Sequence, residues 1–383
     1  MTVLGQNAVK ACLLAAALGC GESAPPQESR APASPAGGAP PLRFRRAAVV
    51  DREGIGSEAF SLLVPADWEM EGAVHWRLDN PAFPAYGTAR VRNPRGTEEF
   101  EIFPNLPFFW SGDPMTFSTH PPGTKYFGNV VRQPLGAERA LREIVLPTFR
   151  AGAGDLRVVD ARPAPDLAET VRRMQAQAQP EARIEADAAR LRVEYARAGR
   201  TLEEEIYGVV QVFNIPIQTF RGPVVHQNWW LDYLFSFKAQ KGKLDAAAPL
   251  LQTVARSFRL DRDWYNRYAQ LVEMFIRHQI RQIRQIGEIS RMVAQTSREI
   301  SEDRLRQWER IQTVRDRMNE EFSRHIRGVD AYQDPNRGGP VELPAGYGHA
   351  WSNKLGEYLV TDRADFNPNV GSNVEWTRLE PRR

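Results

Sequence analysis

Cysteine is almost absent: Cys12 and Cys20 are the only two in 383 residues, and both fall within the first 20. Past that point no disulfide, no thiolate zinc cluster and no cysteine nucleophile can be built. Histidine is sparse and scattered, at His75, His120, His226, His278, His325 and His349. No two stand three to five residues apart, so the helical pair of an H-E-x-x-H metal site is missing. Neither a G-x-S-x-G elbow nor a phosphate-binding G-x-x-x-x-G-K-[ST] loop occurs, and Gly54-Ile55-Gly56-Ser57 lacks the further glycine of a dinucleotide loop. No metal and no cofactor is expected. Charge of one sign is also lacking. The net charge is +3, so no bulk attraction to nucleic acid follows and no nucleic-acid partner is expected. No apolar run reaches 18 residues, which excludes an evident membrane-spanning helix.

What is present begins at the N-terminus. Residues 1–10 are polar and carry Lys10, and residues 11–19 are uniformly apolar or small. That is the plan of a signal peptide over 1–19. Ala17-Leu18-Gly19-Cys20 resembles a bacterial lipobox, which implies a lipid on Cys20 (palmitate included) and a cell-envelope address. Ordinary cleavage after Gly19 is the competing reading. Gly21 and Glu22 lack the Asp that retains some lipoproteins at an inner membrane, so the outer membrane is preferred by analogy. Residues 20–41 are rich in Pro, Ala, Gly and Ser with no large apolar side chain. They read as a disordered tether.

Residues 42–262 read as one α+β domain. Strands are predicted at 58–64, through Trp68, Met70 and Val74, and at 88–93, 98–103, 155–161, 228–237 and 257–260; 190–213 reads as a strand and its return after Gly199-Arg200, and helices are predicted at 136–147, 166–178 and from Asp245 to Ala255. Residues 104–134 show no period and are rich in proline, and read as a long aromatic loop. The opening Phe60-Ser61-Leu62-Leu63-Val64-Pro65 with Trp68, and the ending Tyr233-Leu234-Phe235-Ser236-Phe237, helix, Ser257-Phe258, resemble a PsbP-like domain over 58–260. The resemblance implies an antiparallel sheet with helices on its faces and a binding or assembly role. It brings no catalytic residues with it.

Residues 263–328 carry no proline, and apolar side chains recur from Ile276 to Ile326 at close to the helical period. One long amphipathic helix is expected. Thr296-Ser297-Arg298-Glu299 reads as a capping box, where a helical hairpin would turn instead. Residues 329–383, rich in Trp, Gly and Pro, read as an irregular tail that packs back. The whole order is similar to that of an uncharacterised bacterial lipoprotein family with a PsbP-like front, a long helix and a Trp-rich tail.

The aromatic loop 106–127 is the candidate ligand site, with Phe109, Trp110, His120 and Tyr126. Its rings equally suit closure of the open end of the sheet, and that structural reading is preferred. The carboxylates Glu98-Glu99 and Glu203-Glu204-Glu205 read as solvated β edges, because neighbours on a strand point to opposite faces. Arg277 to Arg310, interleaved with acids, reads as a solvated helix face. The expectation is a non-enzymatic envelope lipoprotein. It would bind another envelope protein, or itself as a coiled coil, through 263–328. Alternatives are a small ligand, peptide or glycan in the aromatic loop, and a hydrolase assembled from dispersed residues such as His120 or His226.

Overall fold

β-Branched and aromatic side chains suit a pleated surface buried on its faces, and the stretch from Leu202 to Phe237 is dense in them. The computed structural model describes residues 41–80, 83–178, 183–219, 222–277, 286–309, 312 and 329–382. The expected signal peptide, the tether and Cys20 lie outside the described residues. The fold is α+β, with mostly antiparallel sheets: 47% strand against 23% helix makes the sheets the organising layers.

β1 (Leu42–Val50) and β2 (Glu58–Pro65) pair antiparallel. β3 (Glu69–Trp76), β4 (Ala85–Arg92) and β5 (Glu99–Ile102) form a meander. β6 (Leu106–Ser111), β7 (Lys125–Tyr126) and β8 (Asn129–Val131) follow. β9 (Gly154–Pro163), β10 (Arg183–Arg197), β11 (Arg200–Thr219) and β12 (Gly222–Gln240) run as successive antiparallel neighbours. The β10–β11 turn places Ala198 at φ 49° and Gly199 at φ 73°, the two positive values of a type I′ hairpin. The sheet order is β3-β4-β5-β12-β11-β10-β9, with β6 paired to the outer half of β12 beyond β5.

This sheet is buried on both faces. One face packs on the helical segment 137–149 through Leu141, Val145, Leu191, Ile206 and Trp229. The other packs on the helices Pro165–Ala178, Leu244–Arg256 and Arg262–Arg277 through Leu167, Leu251, Leu271, Tyr207 and Phe235. The helix expected to be capped by Asp245 has Lys243 at its cap and Asp245 in its first turn.

Three expectations are corrected. The aromatic loop is not structureless: β6 pairs with β12 and, in parallel, with β8. Its period was hidden because Phe108 and Phe109 are adjacent yet both buried, as happens when a strand is covered on both faces. The tail is not irregular. It contains β14 (Val329–Asp334), β15 (Gly339–Pro344), β16 (His349–Asn353), β17 (Tyr358–Thr361), β18 (Trp376–Arg378) and β19 (Glu380–Pro381). Its glycines and prolines sit largely between these strands, as at Pro335, Gly338 and Gly356. β17 pairs with β1, so the tail completes a sheet ordered β13-β2-β1-β17-β16-β18, where β13 is Arg259–Leu260.

The long helix is interrupted. Helix Ile286–Val293 ends in turns, and a new helix covers 302–309. The interruption is held by side chains of helix Arg262–Arg277: Asn266 donates to the carbonyls of Ser297 and Glu299 at 3.1 and 3.2 Å. Gln270 exchanges two bonds with Ser297, at 2.9 and 2.8 Å. A helical period survives such an interruption because each helix turns its own stripe inward. Residues 278–285, 310–311 and 313–328 of the expected helix lie outside the described residues.

Candidate functional site

Alternation along β6 sends neighbouring rings to opposite faces of the strand. Phe108 stacks on Trp229 with centroids 4.2 Å apart, inside the core. Trp110 lies two residues on, half-buried, and packs on Phe117 at 4.5 Å. Phe109 faces the other way. It stacks on Tyr126 at 4.3 Å and meets the edge of His226 at 5.5 Å. Tyr126 in turn meets His120 at 5.0 Å and Phe127 at 4.7 Å. Of the four candidate residues, Phe109, His120 and Tyr126 therefore come together. Trp110 does not join them.

Burial decides the electrostatics of this lobe. It raises the Tyr126 hydroxyl above its ordinary value. It lowers the His226 imidazole below its ordinary value, against the opposing charge of Asp113. Among the described residues neither His120 nor His226 hydrogen-bonds a serine or a carboxylate, although Ser111 stands opposite His226 in the β6–β12 register and the charge of Asp113 acts on it. His120 contacts Thr119 and Tyr126, and His226 contacts Phe109. His278 and His325 lie outside the described residues. Among the described residues no group of three or more His, Cys, Asp or Glu converges as a metal site would.

One residue here was not legible as a site. β7 and β8 are joined by Phe127-Gly128, with φ 47° and 75°. Both positive values define a type I′ turn, whose first position favours Asn, Asp or Gly. A bulky side chain there costs about 1–2 kcal/mol. Phe127 is nevertheless 70% exposed, so core burial does not offset the strain. Its platform is rigid. The Cβ of any residue replacing Gly128 would stand 2.5 Å from the Asp79 carbonyl, while Asn80 donates to Asn129 at 2.9 Å and Lys125 pairs with Asp79 at 2.8 Å. Met115 at 51%, in the short helix after β6, and Val225 at 45%, on β12, are also exposed.

No family model, curated protein or solved structure matches this chain.

The carboxylate runs are placed differently from expectation. Glu203, Glu204 and Glu205 lie in the middle of the sheet, buried, not at a solvated edge. Alternation splits them. Glu204 accepts from Arg150 Nε at 2.7 Å and from Tyr195 at 2.8 Å on one face, and a second Arg150 nitrogen also bonds it. Glu203 and Glu205 pair with Arg192 and Arg190 on the other face. Glu99 pairs with Lys238 at 2.6 Å, and Glu98 holds the turn side chain of Asn93 at 2.8 Å. Arginines at 150, 190 and 192, spaced apart in sequence, supply the counter-charges that allow burial.

Proposed function

We propose that this chain is an exported, non-enzymatic binding or scaffolding protein of PsbP-like type, held to an envelope membrane by lipid on Cys20. Its partner is another envelope protein, and the contact surface is the aromatic lobe around Phe127. The observation that carries this reading is Phe127 itself. A large apolar ring is kept in a left-handed turn, mostly in water, on a clamped platform. Strain retained at an exposed position, with no core gain, points to a use in contact. Rigid display suits such a use, because little ordering entropy remains to be lost on binding.

The helical region serves this reading as scaffold. Trp264, Tyr265, Ala269, Leu271 and Phe275 of helix Arg262–Arg277 are buried in the core of the chain itself; of the apolar stripe, Ile289 is buried there too, and Val293 and Trp308 pack against it. Deleting that helix would strip the core, so the discriminating experiment uses surface substitutions. In-cell crosslinking and pull-down of the full chain would be compared with a Phe127→Ser/Met115→Ser variant. A specific envelope protein recovered by the parent and lost by the variant is the expected outcome. Identical recovery by both rejects the aromatic lobe as the contact surface. A Cys20→Ser chain released from the membrane fraction would support the anchor, and unchanged fractionation would reject it.

A further inference from the structure

Trp110 stands on the opposite face of β6 from the Phe109 group, and the register carries that face across neighbouring strands. Trp110 lies opposite Gln227 on β12, and Gln227 opposite Asn214 on β11. Residues directly opposite on paired strands share a face, so an indole and two amides stand in one row. The next row inward, Phe108, Trp229 and Val212, is buried. The next row outward, Val225 and Pro216, is exposed. The amide row therefore marks where this face of the sheet emerges from the core.

The row is held in place. Gln227 Nε2 donates to Asn214 Oδ1 at 2.8 Å, and Asn214 Nδ2 donates to Glu185 on β10 at 3.2 Å. Phe117 packs on the Trp110 ring at 4.5 Å. Each amide carries two donor hydrogens and a carbonyl acceptor, so the ladder leaves hydrogen-bonding capacity over. The Gln227 carbonyl and the Trp110 indole N–H have no hydrogen-bond partner among the described residues. Trp110, Gln227 and Asn214 are each half-buried, so part of every one of them meets water. Fixed amides with spare valences beside an aromatic ring suit a ligand with hydroxyls at its rim and C–H groups on its face.

We propose that this face binds a short stretch of a linear, uncharged, β-1,4-linked glycan. The C–H face of one sugar ring lies on the Trp110 indole, whose π face is negative. Hydroxyls of the following units exchange hydrogen bonds with Gln227 and Asn214. Strands about 4.8 Å apart put the span from β6 to β10 at about 14 Å, the reach of a short oligosaccharide. A straight, fixed row fits a β-1,4-linked chain, which is extended and flat, and misfits an α-1,4-linked chain, which coils. The three contact side chains are neutral, so a neutral ligand leaves no charge unpaired. Because the ladder is already formed, little side-chain ordering remains to oppose binding. The site is independent of the lobe around Phe127, which lies with the Phe109 group.

The test is titration calorimetry of the full chain in neutral detergent with cellotetraose, chitotetraose and maltotetraose. At least one of the two β-linked tetramers is expected to bind, and the α-linked maltotetraose is not. The tighter of the first two identifies the sugar as glucose or its N-acetylamino relative. Trp110→Ala and Gln227→Leu are each expected to weaken binding about tenfold. Val370→Ser, at an 80% exposed site of the tail, keeps the affinity of the parent. The Tm of each variant is read alongside; where Trp110→Ala unfolds, the surface change Gln227→Leu decides. No binding of either β-linked tetramer, equal binding of maltotetraose, or parental affinity in a folded Gln227→Leu chain overturns the proposal.

Discussion

Phe127 is where local and global demands disagree. Its φ of 47° suits Asn or Gly, so Phe127→Asn is expected to raise stability by about 1 kcal/mol while weakening partner recovery. Urea unfolding measures the first effect and pull-down the second; a stability loss would show that the ring is structural. Glu204 is the opposite case, a charge fully enclosed. Burial alone would raise its carboxyl, but the bonds and charge of Arg150 outweigh this and hold it below the usual range. Glu204→Gln leaves Arg150 without its full counter-charge and is expected to cost about 3–5 kcal/mol. The pH dependence follows in sign. The stability from a lowered Glu204 is present above about pH 4.3 and is lost as pH falls through the folded value. Tyr195, Tyr207 and Tyr358 are raised, by burial first and then by Glu204, Glu205 and Asp334 respectively. Their contribution is present below about pH 10 and is lost as pH rises beyond it. A Tm profile flat at neutral pH with a decline on both sides is expected, and Glu204→Gln should flatten the acid side.

At the scale of elements, the interruption at 294–301 depends on two amides of helix Arg262–Arg277. Asn266 is fully buried and satisfies two carbonyls that the turn leaves without helical partners. Asn266→Ala takes this bond from the Glu299 carbonyl, while Ser297 keeps the one from Gln270, at about 1–3 kcal/mol. Faster amide exchange across 297–309, with little change in β10–β12, is the expected signature. Uniform protection across the chain would show that packing of Trp308, whose indole donates to the Leu260 carbonyl at 2.9 Å, suffices to hold the arm. Asp51 fastens the same helix to the sheet. Its carboxylate accepts from the indoles of Trp76 and Trp264 at 3.0 and 2.9 Å, and from the amides of Gly54 and Ile55, each at 2.9 Å.

For the whole molecule, the tail is a structural layer. β17 lies against β1, and Phe44, Leu63, Tyr358 and Val360 share a core. A chain ending at residue 328 would expose that apolar face and leave β1 as an open edge. It is expected to melt lower than the full chain and to self-associate, as sedimentation would report. A monomer with unchanged Tm would mean that the front of the chain folds independently of its tail.

The α+β class and many of the elements were legible because period and turn chemistry are local. Glu58–Pro65, Pro165–Ala178 and the β10–β11 hairpin appear close to where apolar spacing and Gly199 put them. The candidate site was legible in part: aromatic richness marked 106–127, but not the separation of Trp110 from Phe109, Tyr126 and His120. Alternation reveals that separation only once β6 is known to be a strand. Phe127 was marked only as one ring among the others of that stretch, since its strain exists only in the folded turn. Only the tertiary structure decided where charges lie. Nothing near Glu204 in sequence announces Arg150, 54 residues away, and nothing near Arg256 announces Glu342, 86 residues away. Local pattern determines which backbone forms, because its forces act within a few residues. Burial and charge pairing depend on which distant segments the sheets bring together.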